Sequence, residues 1–503
     1  MNAVEQKRQF LQTQIDESKT LEERRKFGQF STPYPLAKEI TDYGLTLQEC
    51  NELRFLEPAV GTGVFFSALS ESIDERGEQM LAKSTGIELD ESYFKAGESV
   101  WQNMAFVHGD FTKLCPTEKF NFVISNPPYV RHHLIPSEQK KALVRQVESE
   151  LHITPSGLMG LYGYFLLLSH KWLASKAVSG WLIPSEFMDV NYGSALKKYL
   201  LENVRLMRIH RYAPTKSKFE DALVSSCVVW FMNEKNNEDY EVEFSFGGTL
   251  KHPQISKMIK RNQLEREAKW SRFPEREIRP ANENIATLGD FFDIKRGIAT
   301  GDNDFFILTK NDVLNKGLLL DRTYFQPILP SPRKLKIDKI VSDENGVPIL
   351  DTQYFLLNCK ENIADESVRK YLDSGKSTTG KKYICRNRKI WYQQEKRMPS
   401  QFLCSYMGRG SSANAVPFRF ILNESNAIAT NSYLMLYPKK KLQDFLRRKN
   451  TNAQLVFHAL KQITVSDFSD EQRIYGGGLK KIEPRELAKV KCNKLQELLR
   501  TTI

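Results

Sequence analysis

The tetrapeptide Asn126-Pro127-Pro128-Tyr129 is the stretch of this 503-residue chain best equipped for chemistry. It follows an apolar run at 120–124, so a buried strand is expected to stop at two prolines, which have no N–H to give a neighbouring strand. The result would be a stiff platform at the strand's carboxyl end. It carries the Asn126 side-chain carbonyl, backbone carbonyls whose direction Pro127 and Pro128 fix, and the Tyr129 ring. Such a set can accept hydrogen bonds from a planar amine and stack on the ring that bears it. An amine conjugated to a ring is a poor nucleophile because its lone pair is delocalised. Acceptors on its N–H groups draw it toward a tetrahedral, more reactive form as it attacks an electrophile. No metal or covalent intermediate is needed. An isolated Pro-Pro-Tyr would read as a proline-rich turn; the neighbouring stretches argue otherwise.

Three earlier strand ends carry polar groups that could meet the same ligand. Leu53-Arg54-Phe55-Leu56 runs into Glu57-Pro58-Ala59-Val60-Gly61-Thr62-Gly63 and then a helix from about residue 65. Glycines at such a turn let the backbone approach a ligand at the carboxyl edge of a parallel sheet. Gly86-Ile87-Glu88-Leu89-Asp90 ends a second strand, with Glu88 placed 25 residues after Gly63, where an acid can accept from ribose hydroxyls. A third strand ends in His108-Gly109-Asp110-Phe111. Taken singly, Glu88 could be a helix-entry charge, Asp110 a cap and Phe111 a core residue. Upstream, residues 4–27 read as an amphipathic helix with Phe10, Leu11, Ile15 and Leu21 on its apolar side. In Gly28-Gln29-Phe30-Ser31-Thr32-Pro33, Ser31 or Thr32 reads as a helix cap with Pro33 in the first turn. Later strands are expected at 180–184, 206–210 and 227–232, with an apolar helix at 162–173 between them and the platform.

Composition sets the frame. A 41% hydrophobic chain of this length can build two or three cores. No run of 18 apolar residues suggests a membrane span, and the polar start at 1–8 lacks a signal-peptide core, so a cytoplasmic protein is expected. Seven scattered cysteines without a C-x-x-C pair point to reduced packing residues, with no disulfide framework and no metal site. Residues 1–240 hold 27 Lys and Arg against 31 Asp and Glu, while 241–503 hold 46 against 30. The whole basic excess lies in the second half, which suggests one part that does chemistry and another that meets a polyanion.

In their order, these motifs resemble the adenine-N6 DNA methyltransferases of the gamma arrangement, the Type II restriction-modification methylases. The resemblance implies an α/β catalytic domain of the class I fold, Rossmann-like with a seven-stranded sheet, that uses S-adenosylmethionine (SAM), followed by a mixed α+β target-recognition domain. It places the catalytic domain at 1–240, a connection at 241–285 and the recognition domain at 286–503. It implies that Thr32 meets the methionine carboxylate and that Glu57, Pro58, Ala59, Gly61 and Gly63 form the SAM loop. Glu88 would hold the ribose, with Leu89, Asp110 and Phe111 around the adenine of SAM. Asn126, Pro127, Pro128 and Tyr129 match the catalytic tetrapeptide. Phe219 matches an aromatic that faces Tyr129 across a flipped-out target base.

The phrase from Phe291 to Asn303, with Arg296 inside it, resembles the opening of the recognition domain. Interleaved basic and aromatic residues beyond it, including Arg388, Lys389, Trp391, Arg397, Arg409 and Lys480, suit phosphate contact and base-edge reading, although Trp391 would serve equally as core. The expected partners are double-stranded DNA and, in a restriction-modification system, a separately encoded endonuclease; a monomer is expected. Methylation of RNA or of a protein amide is the nearest alternative. A catalytically silent DNA-binding protein on the same scaffold is the alternative from another class.

Overall fold

The computed structural model describes residues 3–77, 79–213, 226–235, 238–274, 286–321, 323–360, 363–409, 416–449, 451–469, 471, 473–475 and 479–500. The chain divides into two units, residues 1–278 and 279–503.

The first unit is organised by nine strands: β1 (Glu52–Glu57), β2 (Met80–Glu88), β3 (Ala105–His108), β4 (Phe120–Ser125), β5 (Leu173–Pro184), β6 (Arg205–Arg211), β7 (Ser226–Met232), β8 (Glu241–Gly248) and β9 (Pro253–Lys260). They form one sheet in the order β3-β2-β1-β4-β5-β7-β6-β8-β9. Strands β1 to β5 run parallel, β7 is antiparallel to both β5 and β6, and this first seven-strand order is that of the class I SAM-dependent methyltransferase fold. The apolar runs explain the pattern: β4, β5 and β7 are buried almost throughout, as strands covered on both faces must be.

Among the described residues, nine α-helices accompany the sheet: α1 (Ala3–Ser18), α2 (Leu21–Phe27), α3 (Tyr34–Thr46), α4 (Val64–Arg76), α5 (Glu91–Val100), α6 (Ser137–Leu151), α7 (Leu161–Leu168), α8 (Ser194–Glu202) and the short α9 (Arg261–Arg266). Helices α3 and α4 pack with Leu36, Ile40, Phe65 and Phe66 on one face, where Trp101 and Trp230 complete the core. Helices α6, α7 and α8 cover the other face around Trp172, Trp181 and Tyr199. Register brings the functional ends to one edge: Glu57 lies opposite Gly86, and Glu88 opposite His108.

Three expectations change here. The sheet has nine strands where seven were expected, and residues 241–260, assigned to a connection, form β8 and β9 within it. Val242 and Phe244 are buried against Trp270 and Phe273, which anchors this polar stretch to the sheet. The helix expected over 4–27 is two helices, parted where Thr20 and Glu23 cap α2: the Thr20 N–H donates to Glu23 Oε2 (2.8 Å) and the Glu23 N–H to Thr20 Oγ1 (3.2 Å). Its buried residues are Glu5 and Arg8, while Phe10 is 62% exposed, so α1 docks through a polar edge.

In the second unit a five-stranded sheet runs in the order Phe292–Arg296, Tyr433–Pro438, Phe402–Ser405, Phe420–Asn423, Lys339–Ile340. Two three-stranded sheets accompany it, one formed by Met407–Gly408, Leu479–Lys481 and Arg473–Tyr475. The architecture is mixed α and β. No helix among the described residues is long and apolar enough to cross a membrane.

Candidate active site

At the end of β4 the Asn126 amide is held by its nitrogen alone. Nδ2 donates to the Phe30 carbonyl (3.1 Å) and to Thr32 Oγ1 (2.9 Å), whereas Oδ1 is buried with no hydrogen-bond partner. Because one end of the amide is tied, the other has a fixed direction. Neither Ser31 nor Thr32 caps α3, whose N-cap is Pro33 without a side-chain bond. Thr32 Oγ1 serves Asn126, and Ser31 Oγ donates to Asp16 (2.8 Å) while accepting from Gln12 (2.9 Å). The local cap signal gives way to these bonds between distant elements.

Gly28 makes the approach of this segment to the tetrapeptide geometrically workable. Its φ is +66°, and a Cβ there would lie 2.4 Å from the Tyr129 nitrogen. The Tyr129 N–H donates to the Gly28 carbonyl (3.2 Å), and the Tyr129 hydroxyl donates to the Leu182 carbonyl (3.0 Å) on the neighbouring strand. Burial raises the phenol's pKa, so it stays protonated and the anchor holds. Phe30 and Tyr162 bracket the half-buried ring at centroid distances of 6.2 and 6.4 Å.

The glycine loop after β1 is equally constrained. Gly61 (φ +54°) donates its N–H to Glu88 Oε2 (2.8 Å), and the Asp90 N–H donates to Glu88 Oε1 (2.8 Å). Burial raises the pKa of Glu88 despite these bonds. A Cβ on Gly61 would meet nothing within 4 Å, whereas one on Gly63 (φ +88°) would strike Trp101 Nε1 at 2.6 Å. The loop is therefore open at Gly61 and closed at Gly63. The Trp101 indole N–H donates to the Thr62 carbonyl (3.0 Å). Glu57 is buried at the entrance to α4 and accepts from the Phe66 N–H (3.3 Å); burial pushes its carboxyl well above the ordinary range.

Helix α1 fastens this loop from outside. Arg8 donates through Nη1 to Thr62 Oγ1 (2.7 Å) and through Nε and Nη2 to Glu5 (2.7 Å each), and the Thr62 hydroxyl donates to Gln12 Oε1 (2.7 Å). Sequence reasoning missed Arg8, Gln12 and Trp101, because no local pattern links them to Thr62.

The open space at Gly61, the Glu88 carboxylate beside it and the 63% exposed Leu89 next to Glu88 fit a nucleoside cofactor such as SAM. Asp110 caps a short helix at Phe111–Lys113: Oδ1 accepts from the Thr112 N–H (3.0 Å) and hydroxyl (2.7 Å). Phe111 is 2% exposed, with Phe165 and Trp172 rings at 5.2 and 5.4 Å, so its ring belongs mainly to the core. Phe219 lies outside the described residues. Among those residues no group of three His, Cys, Asp or Glu could hold a metal ion.

The basic residues singled out in the second unit have unequal surroundings. Arg296 is exposed over the Tyr406 ring, Lys480 pairs across the small sheet with Gly408, and exposed Arg409 follows directly. Arg388 Nη2 donates to the Ala299 carbonyl (2.8 Å) behind the loop that begins at Arg296, and Lys389 is exposed. Arg397 pairs with Glu395 (2.7 Å), and Trp391 packs with Phe305, Phe306 and Tyr392 as part of a core.

Comparison with known proteins agrees with this architecture. Residues 34–219 match the family described as Eco57I restriction-modification methylase, and residues 276–502 match the C-terminal domain of Type II methyltransferase M.Eco57I. The chain is 27% identical over 498 residues to Type II methyltransferase M.AccI of Acinetobacter calcoaceticus, covering 95% of this chain and 87% of that protein. It is also 27% identical to Type II methyltransferase M.XamI of Xanthomonas campestris pv. amaranthicola, covering 94% and 86%. Its fold is similar to that of the Type IIL restriction-modification enzyme MmeI, solved in complex with DNA, with a TM-score of 0.50 at 13% identity over 84% of this chain and 62% of that one. With a methylase domain matched over 34–219 and a Type II methyltransferase C-terminal domain matched after it, on a class I sheet, the chain is a Type II restriction-modification methylase, a DNA methyltransferase that uses SAM.

Proposed function

We propose that this enzyme methylates N6 of an adenine swung out of a short, specific duplex sequence. The observation that carries the reading is the half-engaged Asn126 amide, whose buried Oδ1 has a fixed direction and no partner. Oδ1 and the Pro127 carbonyl accept the two amine hydrogens, and Pro128 keeps that carbonyl from turning. As charge develops on the nitrogen, both acceptors bind it more tightly than in the ground state, which is where such an interaction accelerates a reaction. Tyr129 and Phe219 hold the base between their rings. When bound, SAM supplies an electrophilic methyl group on a positively charged sulfur. Thr32, the loop from Glu57 through Pro58, Ala59 and Gly61 to Gly63, and Glu88 orient it, with Leu89, Asp110 and Phe111 around its adenine.

Arg296, Arg388, Lys389, Arg409 and Lys480 face the DNA, with Trp391 and Arg397 shaping the same surface. A separately encoded endonuclease and a monomeric enzyme complete the reading, which is supported by the chain's coverage of most of two relatives named as methyltransferases.

The test is methyl incorporation from labelled SAM into unmethylated plasmid DNA, with Asn126→Ala as control and sequencing that detects modified bases. N6-methyladenine at one recurring sequence, lost by about a hundredfold or more in the variant, is expected. Methylated cytosine would refute the adenine reading, and label in RNA or protein would refute the DNA one.

A further inference from the structure

An exposed arginine is ordinarily mobile, because its long side chain loses rotamer entropy when fixed. Arg296 is an exception, and three separate constraints hold it. Its guanidinium carbon lies 3.9 Å from the centre of the Tyr406 ring, close enough to stack. Its Nε donates to the Asn431 carbonyl (3.0 Å). Its backbone is pinned by the next residue: the Gly297 N–H donates to the Tyr433 carbonyl (3.0 Å), and a Cβ at Gly297 would lie 2.1 Å from the Thr430 carbonyl oxygen.

The platform is itself anchored. Tyr406 is 1% exposed, and its hydroxyl donates to Glu483 Oε1 (2.5 Å). Lys481 pairs with the same carboxylate (2.9 Å) and stands 5.0 Å from the same ring. These contacts leave Nη1 and Nη2 of Arg296 without a partner among the described residues while the fork's plane is already set. Among the described residues no carboxylate is paired with it.

A planar pair of donors held in advance suits a planar pair of acceptors. In the DNA major groove the guanine edge offers O6 and N7 in that arrangement, and a preset guanidinium gives up little entropy on binding it. Lys480, on the small sheet, and exposed Arg409, which follows that sheet's Met407–Gly408 strand, are cations of the kind that meet phosphates.

We propose that Arg296 reads a guanine edge at one position of the recognition sequence, with Tyr406 and the Asn431 carbonyl as its mount. The proposal rests on the DNA-methylating reading above and names one of its specificity determinants.

The experiment compares the full-length enzyme with Arg296→Met, which keeps an unbranched apolar stem over Tyr406 but has no fork. Once sequencing has given the methylated motif, kcat/KM is measured on duplexes in which each base pair outside the target is changed in turn. Thermal melting verifies that the variant is folded. The expected result is a loss of discrimination, roughly five- to hundredfold, at a single G·C pair, with the penalties at other positions unchanged. A uniform loss across all duplexes, with a shallower dependence of affinity on salt, would make Arg296 a phosphate contact and overturn the proposal. Unchanged discrimination at every position would overturn it too. Failure of the wild-type enzyme to methylate any DNA is a distinct outcome, which removes the reading underneath and this inference with it.

Discussion

Thr32→Val separates two roles for one hydroxyl. The resemblance assigns Thr32 to the cofactor's carboxylate, whereas the geometry gives its Oγ1 to Asn126 Nδ2 at 2.9 Å. Valine keeps the shape and removes the acceptor. A neutral hydrogen bond is worth about 0.5–1.5 kcal/mol, so the amide's preferred orientation weakens by that amount. It does not invert, since turning the amide over would set Oδ1 against the Phe30 carbonyl that Nδ2 now donates to at 3.1 Å. The single-turnover methylation rate at saturating SAM and DNA should therefore fall about two- to tenfold, far less than for Asn126→Ala, while the Kd for SAM by calorimetry stays within about twofold. The unpaired Nδ2 hydrogen should also lower the melting temperature by a few degrees, on the order of 1 kcal/mol in a unit of this size. A tenfold weaker SAM affinity with an unchanged rate at saturation would refute the argument and return Thr32 to the cofactor.

Two other perturbations probe the same edge of the sheet. Gly28→Ala forces a Cβ to within 2.4 Å of the Tyr129 nitrogen at a positive φ, so the tetrapeptide must shift; single-turnover rates should drop on the order of a hundredfold, and a variant with the wild-type rate would contradict the role given to Gly28. Burial holds the Glu88 pKa above the ordinary 4.5, and a ribose contact needs the ionised form, so SAM affinity should fall as pH drops through that raised value. Stability of the cofactor-free protein responds in the opposite sense. A raised folded-state pKa contributes stability that is full below 4.5 and lost as pH rises through the raised value. Glu88→Gln should flatten both profiles; calorimetric SAM affinity that is the same at pH 7 and at pH 4.5 in the wild type would rule the contact out.

What could be read from the sequence was local. Strands β1 and β2 end on their candidate groups, and β3 and β4 are followed by theirs within two residues, so Glu57, Glu88, Asp110 and Asn126 could be placed at strand ends without knowing the fold. Strand β9 could not be, because it lies at the sheet edge and buries only Ile259; a strand with one buried residue has the composition of a linker. The inward side of α1 was hidden for a related reason. A buried Glu5–Arg8 pair is stable only because Thr62, 54 residues after Arg8, supplies a further acceptor, and periodicity sees apolar faces alone. Charge likewise does not tell an oriented arginine from a solvated one. Arg397 and Arg296 look equivalent in the sequence, yet one pairs with Glu395 and the other lies stacked on Tyr406.

The residues that distance in sequence conceals share one construction. Asn126 is tied through Nδ2 and leaves Oδ1 without a partner; Arg296 is tied through Nε and leaves Nη1 and Nη2. Glu88 accepts one backbone N–H on each oxygen, which leaves lone pairs on both. In each case a group with several hydrogen-bonding atoms is fixed by some of them so that the rest keep a direction. A side chain fixed by packing alone would keep its position but not the rotation of its terminal group, and it is that rotation which decides whether an amide offers oxygen or nitrogen to an amine. Direct mounts of this kind need partners from other elements: Phe30 and Thr32 for Asn126, Gly61 for Glu88, Asn431 and Tyr406 for Arg296. Folding therefore does more here than gather the motifs along the sheet edge. It supplies the second bond that turns a suitable residue type into an oriented one.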